Sequence, residues 1–431
     1  MENGKLAVVP PLDTDIGYGS TEFHVLRPTG EILPKWIAHF VSQSSFRREA
    51  QRNMSGSAGQ LRVPGKWIEA RVVPIAPLNE QARVTAKIEE LFSDLDAGVA
   101  ALERARANLK RYRAAVLKAA VEGRLTAEWR KAHPDVEPAS KLLERILAER
   151  RRKWEEAQLA KFAAAGKPPP NGWKDKYPEP AKPDTTNLPE LPEGWCWTTV
   201  EQVNAAERPI SYGVLQPGDD LPDGVPLIRV CDVADGRVEV GQLKRIDPSI
   251  SNQYQRTIVQ GGEVLLTVVG TIGRTAVVPS SLKGANTARA VAVISVTSEI
   301  DARYLELNLR EPSMRARLTN AAHEVARKTL NLEDVRPACI PLPPRNEQVC
   351  IVEIVEEQLA KAEHADAEIE HDASRSMRLR QAILKRAFEG KLVPQDPNDE
   401  PASVLLERIR DARASLETPA RTARRKQIRP A

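Results

Sequence analysis

One segment of the sequence has residue types and spacing that could do chemistry. Glu389-Gly390-Lys391 has the E-x-K spacing of metal-dependent nucleases, in which the carboxylate binds a cation and the lysine stabilises charge on the attacked phosphate. The matching segment Glu122-Gly123-Arg124 carries arginine instead of lysine. Both segments come where a long helical pattern ends, and glycine is the usual residue at that point. The sequence therefore predicts a structural role for both.

Nucleotide-binding and methyltransferase motifs are missing. Gly270-Thr271-Ile272-Gly273 lacks the G-x-G-x-x-G spacing, and no helical pattern follows it, so we predict a turn between strands. The segment from Gly59 to Trp67 resembles a P-loop but has one residue too many before Gly65-Lys66. An N/D-P-P-Y/F segment, which an adenine methyltransferase needs, does not occur.

Histidine and cysteine are sparse and scattered. The 4 cysteines form no C-x-x-C pair, so the sequence predicts neither a zinc site nor a disulfide framework, and reduced thiols fit a cytoplasmic protein. The 6 histidines form no set with serine, cysteine or aspartate that would mark a nucleophile. We therefore expect no catalytic, cofactor-binding or metal-binding residue, and a chain that binds or scaffolds.

Composition narrows the class of protein further. The chain has 431 residues, which suggests about two to four domains. Aromatic residues make up 4% and charged residues 28%, a balance that favours long surface helices. The net charge of +4 permits nucleic-acid binding without requiring it. The longest apolar run, at 264–269, is too short to span a membrane, and we see no signal-peptide pattern.

A collinear internal repeat organises the chain. Pro77-Leu78-Asn79-Glu80-Gln81 recurs as Pro344-Arg345-Asn346-Glu347-Gln348. The same offset places 122–125 on 389–392, a short gap then places 137–146 on 400–409, and 4–10 resembles 273–279. The first unit has no counterpart for about residues 194–272. We expect about 80 residues to be absent ahead of it, through either an upstream start or a truncated gene.

The repeat predicts an α+β fold with two mixed α/β modules, the first partial, separated and joined by long helices. Strand-like runs at 227–230, 264–269 and 290–294 mark the complete module, and 35–53 and 303–321 read as helical. We divide the chain into a partial first module (1–78), a first spacer helix (79–125), a charged helical extension (126–164), a linker (165–192), a second module (193–343), a second spacer helix (344–392), and a short helix with a basic tail (393–431).

The two spacer helices have matching beginnings and ends. Asn79 and Asn346 follow prolines and suit the N-cap position, and Gly123 and Gly390 suit the C-terminal stop. Helices of about forty residues would be about 60 Å long. Arg106 interrupts the apolar stripe of the first, and Asp366, Ser376 and Arg380 weaken that of the second. The residues that we expect to pair the helices are Ile88, Phe92, Leu95, Val99, Leu102, Leu109, Val116, Val355, Leu359, Ile369 and Ile383.

Such two-faced helices need a partner in water. The first interpretation pairs the two helices as an antiparallel coiled coil, and the alternative packs each helix on its own module. The linker holds eight prolines between 165 and 192 and is expected to be extended and unfolded. The basic tail from Arg421 to Arg429 is expected to be disordered.

This arrangement resembles one family, the specificity subunits of type I restriction–modification systems. Leu191-Pro192-Glu193-Gly194-Trp195 opens a module, and Gly262-Glu263-Val264-Leu265-Leu266 precedes 270–274. The segments Pro74-Ile75-Ala76-Pro77 and Ile340-Pro341-Leu342-Pro343-Pro344 each precede a Glu-Gln pair. A Leu-Lys-x-Ala-x-Glu-Gly-x-Leu ending occurs at 117–125 and 384–392. The resemblance covers about residues 1–415.

The resemblance implies a non-catalytic, cytoplasmic, sequence-specific DNA-binding subunit. In that family each module is a target-recognition domain that reads half of a bipartite double-stranded DNA site. The paired helices fix the distance between half-sites and dock methyltransferase subunits. A restriction and translocase subunit joins the complex. The complex methylates adenine with S-adenosylmethionine and cuts unmodified DNA with ATP and Mg, and the partner subunits use these cofactors.

Candidate DNA contacts lie in predicted turns and at strand ends, where hydrogen-bonding side chains can reach bases or phosphates. The second module has 16 basic and 17 acidic side chains between 194 and 343, so any DNA surface must be local. For each candidate an ordinary surface charge is the alternative. The candidates are Arg229, Lys244, Arg245, Thr271, Arg274, Asn286, Arg289, Arg327 and Lys328, with Lys5, Gln60 and Arg62 in the first module.

The first module departs from the family pattern. Half a mixed domain would expose sheet edges and apolar faces. Either the first module does not read DNA, or two chains form a homodimer through the helices and use the second module twice. A rival interpretation is a coiled-coil interaction protein without a DNA role, which explains the helices but not the duplicated modules.

Overall fold

The computed structural model describes residues 5–10, 17–20, 22–28, 31–56, 61–322 and 328–426. The fold is mixed helix and sheet with two long helices, as the sequence predicts. The helices are α1 (Pro34–Val41), α2 (Ser44–Arg52), α3 (Gly65–Glu69), α4 (Leu78–Val121), α5 (Ala127–Ala132), α6 (Ala139–Ala164), α7 (Val200–Val203), α8 (Pro248–Asn252), α9 (Ala302–Arg310), α10 (Pro312–Ala321), α11 (Leu332–Val335), α12 (Arg345–Phe388) and α13 (Ala402–Lys426).

All the strands among the described residues lie between α6 and α12 in the sequence. They are β1 (Cys196–Thr199), β2 (Ser211–Tyr212), β3 (Val225–Ile228), β4 (Val233–Ala234), β5 (Arg237–Val238), β6 (Lys244–Ile246), β7 (Val264–Thr267), β8 (Thr275–Val277), β9 (Asn286–Thr287), β10 (Val291–Ile294) and β11 (Cys339–Leu342). The predicted strand runs at 227–230, 264–269 and 290–294 correspond to β3, β7 and β10.

The chain forms two compact units. Unit 1 contains Met1–Ala107 and Asp366–Ala431, and unit 2 contains Asn108–Ala365. Both long helices, α4 and α12, cross this division. Each unit therefore contains one part of α4 and one part of α12.

Within each unit the two long helices run antiparallel. In unit 1, Ile88 shares a core with Leu384, and Arg106 pairs with Asp366. Partner numbers on α12 fall as numbers on α4 rise, which is the antiparallel direction. In unit 2, Val116, Leu117 and Ala120 of α4 pack with Ile351, Val352 and Val355 of α12. The helices pair with each other and also pack on their own modules, so the two interpretations are both correct in part.

The predicted helix ends are right and the predicted N-caps are wrong. Gly123 and Gly390 have φ of +68° and +69°. The amide nitrogen of Arg124 donates to Ala119 O at 2.9 Å, and the equivalent bond joins Lys391 to Arg386 at 2.8 Å. These bonds close both helices through a left-handed glycine.

At their N-termini, α4 and α12 begin one residue before the predicted asparagines. The carbonyls of Pro77 and Pro344 accept the first helical bonds, from Gln81 and Gln348. Proline suits this cap position because the helix does not use the N–H of the cap residue, which proline lacks. Its extended backbone also marks the end of the preceding segment. Asn79 and Asn346 therefore lie inside the first turn.

The sheets of unit 2 belong to the second module. One sheet has the order β2-β10-β7-β8, a second has the order β6-β3-β9, and β1 pairs with β11. All neighbours are antiparallel except β3 and β9, which are parallel. Four-residue strands β7 and β10 are buried along their whole length, so the four-stranded sheet is covered on both faces.

The core of the module lies on the two faces of this sheet. Leu266 and Ile294 point to a cluster that includes Leu305 of α9 and Leu142 and Ile146 of α6. Leu265 and Val293 point to the other cluster, which contains Ile228 and Val233. The alternation follows from the two-residue period of a strand. The charged extension, α6, is thus part of the module's core.

The proline-rich segment at 165–192 is packed, whereas the sequence predicts an unfolded linker. Trp173 stacks on Trp154 of α6 with ring centroids 5.9 Å apart, and Tyr177 meets Trp154 edge-on at 5.4 Å. Lys174 bonds Glu155 at 3.0 Å. The amide of Ala181 donates to Glu201 at 3.0 Å. Three aromatic side chains supply the apolar burial that the prolines alone lack.

The first module contains helices but, among its described residues, no strand. The predicted helical stretch at 35–53 forms α1 and α2, and the equivalent stretch at 303–321 lies in α9 and α10. Residues 5–10 repeat the sequence of β8 but form no strand. In unit 2, β8 is held by β7, with Leu265 opposite Ala276. The described part of the first module contains no equivalent of β7.

Some apolar side chains of the first module are exposed. Val9, Phe23 and Val25 are all more than half exposed. The C-terminal helix differs from expectation: α13 extends to Lys426, through most of the segment predicted to be disordered. None of the described helices combines the length and the apolar character that a membrane span requires.

Candidate nucleic-acid interface

The loops of the second module meet at one end of its four-stranded sheet. Thr267, at the end of β7, lies opposite Val291 at the start of β10, and Leu266 lies opposite Thr275 at the start of β8. Tyr212 of β2 pairs with Ala292. We name this end the loop edge; it comprises residues 212–218, 268–274, 287–290 and 328–331.

Four of the predicted contact residues lie at the loop edge. Thr271 and Arg274 belong to the β7–β8 turn, and the amide of Gly270 there donates to Lys328 O at 3.4 Å. Val268 N bonds Ala290 O at 2.9 Å, which places Arg289 beside the same turn. Arg289, Lys328 and Thr271 are exposed, and Arg274 is half-buried. Residues separated by up to 57 positions of sequence thus share one surface.

The positive-φ glycines of the turn explain its shape. Gly270 and Gly273 have φ of +77° and +85°, and a Cβ on Gly273 would lie 2.7 Å from Arg315 Cγ. Arg315 is itself fixed by a bond to Asp235 at 3.0 Å. The turn predicted from Gly270 and Gly273 is confirmed, and glycine is required because L side chains rarely adopt this backbone conformation.

Three further candidates flank the loop edge, where β3 and β6 meet it. Arg229 follows β3 and is paired with Asp232, with Nε 2.9 Å from Oδ2. Lys244 Nζ donates to Gly218 O at 2.5 Å. Arg245 Nη1 donates to Gly224 O at 3.0 Å. These cations hold the loops in place as well as adding charge, and their DNA contacts stay a prediction.

Asn286 lies inside the module. It is fully buried, and its Nδ2 donates to Ser251 Oγ at 3.0 Å and to Ser251 O at 3.2 Å. Its Oδ1 accepts from Thr257 Oγ1 at 2.7 Å and from Thr287 N at 2.9 Å. With donors and acceptor used inside the protein, this amide holds α8 against β9. The structure thus gives Asn286 a structural role in place of the predicted base contact.

Two of the three first-module candidates lie within the described residues. Lys5 is exposed. The side chain of Arg62 forms an ion pair with Glu22, and its backbone forms an isolated antiparallel β-bridge with Ser55. Gln60 and Arg327 lie outside the described residues. The described residues also contain no grouping of three or more His, Cys, Asp or Glu able to hold a metal ion.

Six of the eleven predicted helix-pairing residues lie in apolar clusters shared by α4 and α12: Ile88, Phe92 and Ile383 in unit 1, and Val116, Val355 and Leu359 in unit 2. For the other five, pairing stays a prediction. Ile88, Val116 and Val355 are buried. The other eight are half-buried: Phe92, Leu95, Val99, Leu102, Leu109, Leu359, Ile369 and Ile383.

A buried glutamate ties the second module to the long helices of unit 2. Glu347, at the start of α12, has no exposed surface. Its carboxylate accepts from Trp195 Nε1 at 2.9 Å, Thr126 Oγ1 at 2.6 Å and Arg130 Nη1 at 2.5 Å. Buried charge is tolerated when it is paired and fully hydrogen-bonded. One carboxylate at the start of α12 therefore joins the opening of the second module, through Trp195, to the segment after α4, through Thr126 and Arg130.

The adjacent glutamine makes the same bonds in both units. Gln348 Oε1 accepts from Asp301 N at 2.9 Å, and its Nε2 donates to Pro343 O at 3.1 Å. Gln81 makes the equivalent bonds with Leu33 N at 3.1 Å and Ala76 O at 2.9 Å. Sequence reasoning found the Glu-Gln repeat without assigning it a role. The signal that could have revealed this role was the recurrence of the Glu-Gln pair after proline in both copies of the repeat.

A second buried carboxylate lies behind the β7–β8 turn. Thr275 Oγ1 donates to Glu306 Oε1 at 2.8 Å, and Arg310 Nε lies 3.3 Å from the same oxygen without forming a hydrogen bond. Burial raises the pKa of Glu306 to about 6, against the opposing effects of Arg310 and Thr275. Glu306 is therefore a buried group with a raised pKa that contacts Thr275, the first residue of β8.

Comparisons with known proteins agree with this architecture. Residues 220–370 match the family described as the type I restriction modification DNA specificity domain. The chain is 35% identical over 359 residues to the EcoBI specificity subunit of Escherichia coli, covering 81% of this chain and 66% of that protein. It is 27% identical over 410 residues to the EcoKI specificity subunit of E. coli K12, covering 91% and 74%. It thus spans about two thirds to three quarters of these relatives.

A solved structure supports the fold. A chain from work on complex assembly and conformational transition of the type I R-M system superposes with a TM-score of 0.54 at 17% identity. The match covers 83% of this chain and 72% of that one. Together with the duplicated Glu-Gln helix starts and the sheet-bearing module, these similarities identify the protein: the chain belongs to the family of type I restriction–modification specificity subunits.

Proposed function

We propose that this chain is the DNA-binding, non-catalytic subunit of a type I restriction–modification complex and reads its site with the loop edge of the second module. The observation that carries the proposal is the convergence of Thr271, Arg274, Arg289 and Lys328 at one end of a rigid sheet. Exposed cations suit phosphates, and hydroxyl or guanidinium groups suit base edges.

The helix pair is the proposed spacer and docking surface. Antiparallel packing of α4 and α12 within each unit gives a stiff support, and the buried Glu347 and Gln348 fix the second module on it. We infer that methyltransferase subunits dock on these helices, and that a restriction and translocase subunit joins the complex. In this proposal the assembly methylates adenine and cuts DNA in the cytoplasm, with S-adenosylmethionine, ATP and Mg bound by the partner subunits.

The proposal takes two forms, which differ in whether the first module reads DNA. Its described residues form helices equivalent to α9 and α10 without the sheet that carries the loop edge in unit 2. In one form both modules contribute and the site is bipartite and asymmetric. In the other, two copies of the chain associate and both half-sites are read by second modules, which gives a symmetric site.

The test is to co-express the chain with the methyltransferase encoded beside it and to map methylated adenines across the host genome. An asymmetric bipartite motif supports two different reading modules, and a symmetric motif supports the homodimer. The rival, a coiled-coil scaffold without a DNA role, predicts methyltransferase binding with no motif and no DNA retention at low salt. That result would overturn the proposal.

Salt dependence supplies an independent measurement. Each phosphate contact that is lost lowers the slope of log affinity against log salt by about 1. We expect Arg289→Ala and Lys328→Ala each to weaken binding to all sequences and to lower this slope. A matched control is Lys283→Ala, because Lys283 is exposed beyond the other end of β8.

A further inference from the structure

The segment between β2 and β3 contains a short projection at the loop edge that the sequence did not single out. Leu215 is 55% exposed, and Gln216 beside it is exposed as well. Among the described residues, no hydrogen bond involves the Gln216 side chain. An apolar and an amide side chain therefore stand next to each other, facing solvent, within the surface proposed to meet DNA.

The base of this projection is rigid. Val214 N donates to Thr287 O at 2.7 Å, and Arg289 N donates to Val214 O at 2.8 Å. A Cβ on Gly213 would lie 1.9 Å from Thr287 O, so the backbone there approaches β9 as closely as only glycine allows. Val214 itself is 1% exposed. The position of Leu215 and Gln216 is thus fixed from the N-terminal side.

The far side of the projection is held equally firmly. Lys244 Nζ donates to Gly218 O, and Arg245 N donates to Asp220 Oδ1 at 2.8 Å. Gly218 has φ of +67°. Pre-ordered groups lose little conformational entropy when they bind. The backbone of the loop is therefore held on both sides of the two tip residues, so binding there costs little backbone entropy.

Charge around the tip is asymmetric. Arg289 adjoins Val214 on one side, while the exposed carboxylates Asp219 and Asp223 follow Gly218 on the other. A phosphate is expected on the Arg289 side, because Arg289 forms no ion pair among the described residues, whereas Lys244 and Arg245 on the other side donate to Gly218 O and Gly224 O. The tip would then lie beside the proposed phosphate contact.

We infer that Leu215 and Gln216 read an A·T base pair in the major groove. A glutamine amide can pair with N6 and N7 of adenine at once, and an apolar side chain can pack on the thymine methyl group. This inference rests on the proposed function and names the base class that one loop of the site recognises. Gln216 is here a specificity-determining residue, distinct from the phosphate-binding role of Arg289.

The experiment uses the full chain in complex with its methyltransferase, and the probe is a pool of randomised duplex DNA from which bound sites are selected. The wild-type complex is expected to select a motif with an A·T pair at one fixed position besides the adenine that the complex methylates. Gln216→Ala should lose that preference and bind the selected site about 5- to 150-fold more weakly, with an unchanged salt slope. Gln216→Glu, an acceptor only, should shift the preference toward cytosine.

Gln260→Ala is the matched control, because Gln260 is exposed at the opposite end of β7. Equal thermal unfolding of all variants shows that the fold is intact. If the wild type selects no motif, the proposed function fails. If the wild type selects a motif that Gln216→Ala and Gln216→Glu both retain at full affinity, the proposed function stands and the inference about Gln216 is overturned.

Discussion

Arg106 of α4 donates from Nε to Asp366 Oδ1 of α12 at 3.0 Å, within unit 1. Each residue breaks the apolar stripe of its own helix, and together they form a charged pair between the helices. Glu370, one turn further along α12, lies 3.7 Å from Arg106 Nη2. Polar pairs at such positions set the register of a coiled coil.

The pair also favours pairing within the chain. In the repeat, Arg106 corresponds to Ala373 and Asp366 to Val99. Antiparallel pairing of α4 with a second α4 in the same register would place Arg106 opposite Val99. An ion pair would be replaced by a charge facing an apolar side chain.

A charge reversal tests this role. Arg106→Glu should lower the free energy of unfolding by about 1 kcal/mol, since it places like charges together at a partly exposed site. The double variant Arg106→Glu with Asp366→Arg should recover most of that loss. Chemical denaturation of the four proteins gives the coupling energy. Additive effects of the two substitutions would show that the pair does not couple the helices.

The sequence predicted the periodic and repeated parts of this molecule well. The helix ends at Gly123 and Gly390, the β7 and β10 runs and the turn at 270–273 all depend on local residue preferences, which a single chain displays. The packing of Trp173 on Trp154 and the burial of Asn286 depend on distant partners. Residue type alone does not separate a buried asparagine from a base-reading one.

Gln216 is the reverse case of Asn286: the sequence did not single it out as a DNA contact, yet it is exposed at the loop edge. A polar residue between Leu215 and Pro217 has no distinguishing pattern in the sequence. Its place becomes visible only once β9 is known to fix the loop beneath it. Likewise, Arg106 and Asp366 each look like a defect in one helix, and only the antiparallel register shows that each compensates the other.

Asn286 and Arg289 are three residues apart and are expected to have opposite phenotypes. Asn286→Ala removes a buried amide that makes five hydrogen bonds, so the free energy of unfolding should fall by about 2–3 kcal/mol. Arg289→Ala should change stability by less than about 0.5 kcal/mol. DNA affinity measured at several salt concentrations should fall for Arg289→Ala. A stable Asn286→Ala variant that has lost only DNA affinity would refute the structural role.

The two equivalent glutamines provide a matched pair of substitutions. Gln81→Ala and Gln348→Ala each remove two partly buried or buried hydrogen bonds, and each should lower stability by about 2–3 kcal/mol. Peptide-resolved hydrogen exchange should show faster exchange around Leu33 in the first variant and around Asp301 in the second. Gln51→Ala, at an exposed position of α2, is the control. Uniform acceleration across both units would argue against local anchoring.

Gly123 and Gly390 end the long helices with the same backbone conformation but in different surroundings. A Cβ on Gly390 would meet only Gln395 Nε2, at 3.6 Å, so Gly390→Ala should cost about 1–2 kcal/mol from backbone strain. A Cβ on Gly123 would lie 2.7 Å from Pro192 and 3.0 Å from Trp195. Gly123→Ala should therefore cost about 1–3 kcal/mol more. Thermal unfolding measures both, and equal losses would contradict the crowding at Gly123.

Glu306 should make the stability of the second module depend on pH. Its pKa rises from 4.5 to about 6 in the folded state because burial disfavours the carboxylate. The folded state therefore holds the proton more tightly than the unfolded state. The resulting contribution, about 2 kcal/mol, is fully present below pH 4.5 and is lost as the pH rises through 6.

Glu306→Gln cannot titrate, so it should lack this contribution to the pH dependence. The difference in free energy of unfolding between wild type and variant should shift by about 2 kcal/mol in favour of the variant between pH 4.5 and 7. Glutamine keeps an oxygen that can accept from Thr275. Arg310 loses the neighbouring carboxylate charge, which changes the free energy of unfolding of the variant by an amount that does not depend on pH. Denaturation at several pH values measures the difference. A constant difference across this range would show that Glu306 has an ordinary pKa in the folded protein.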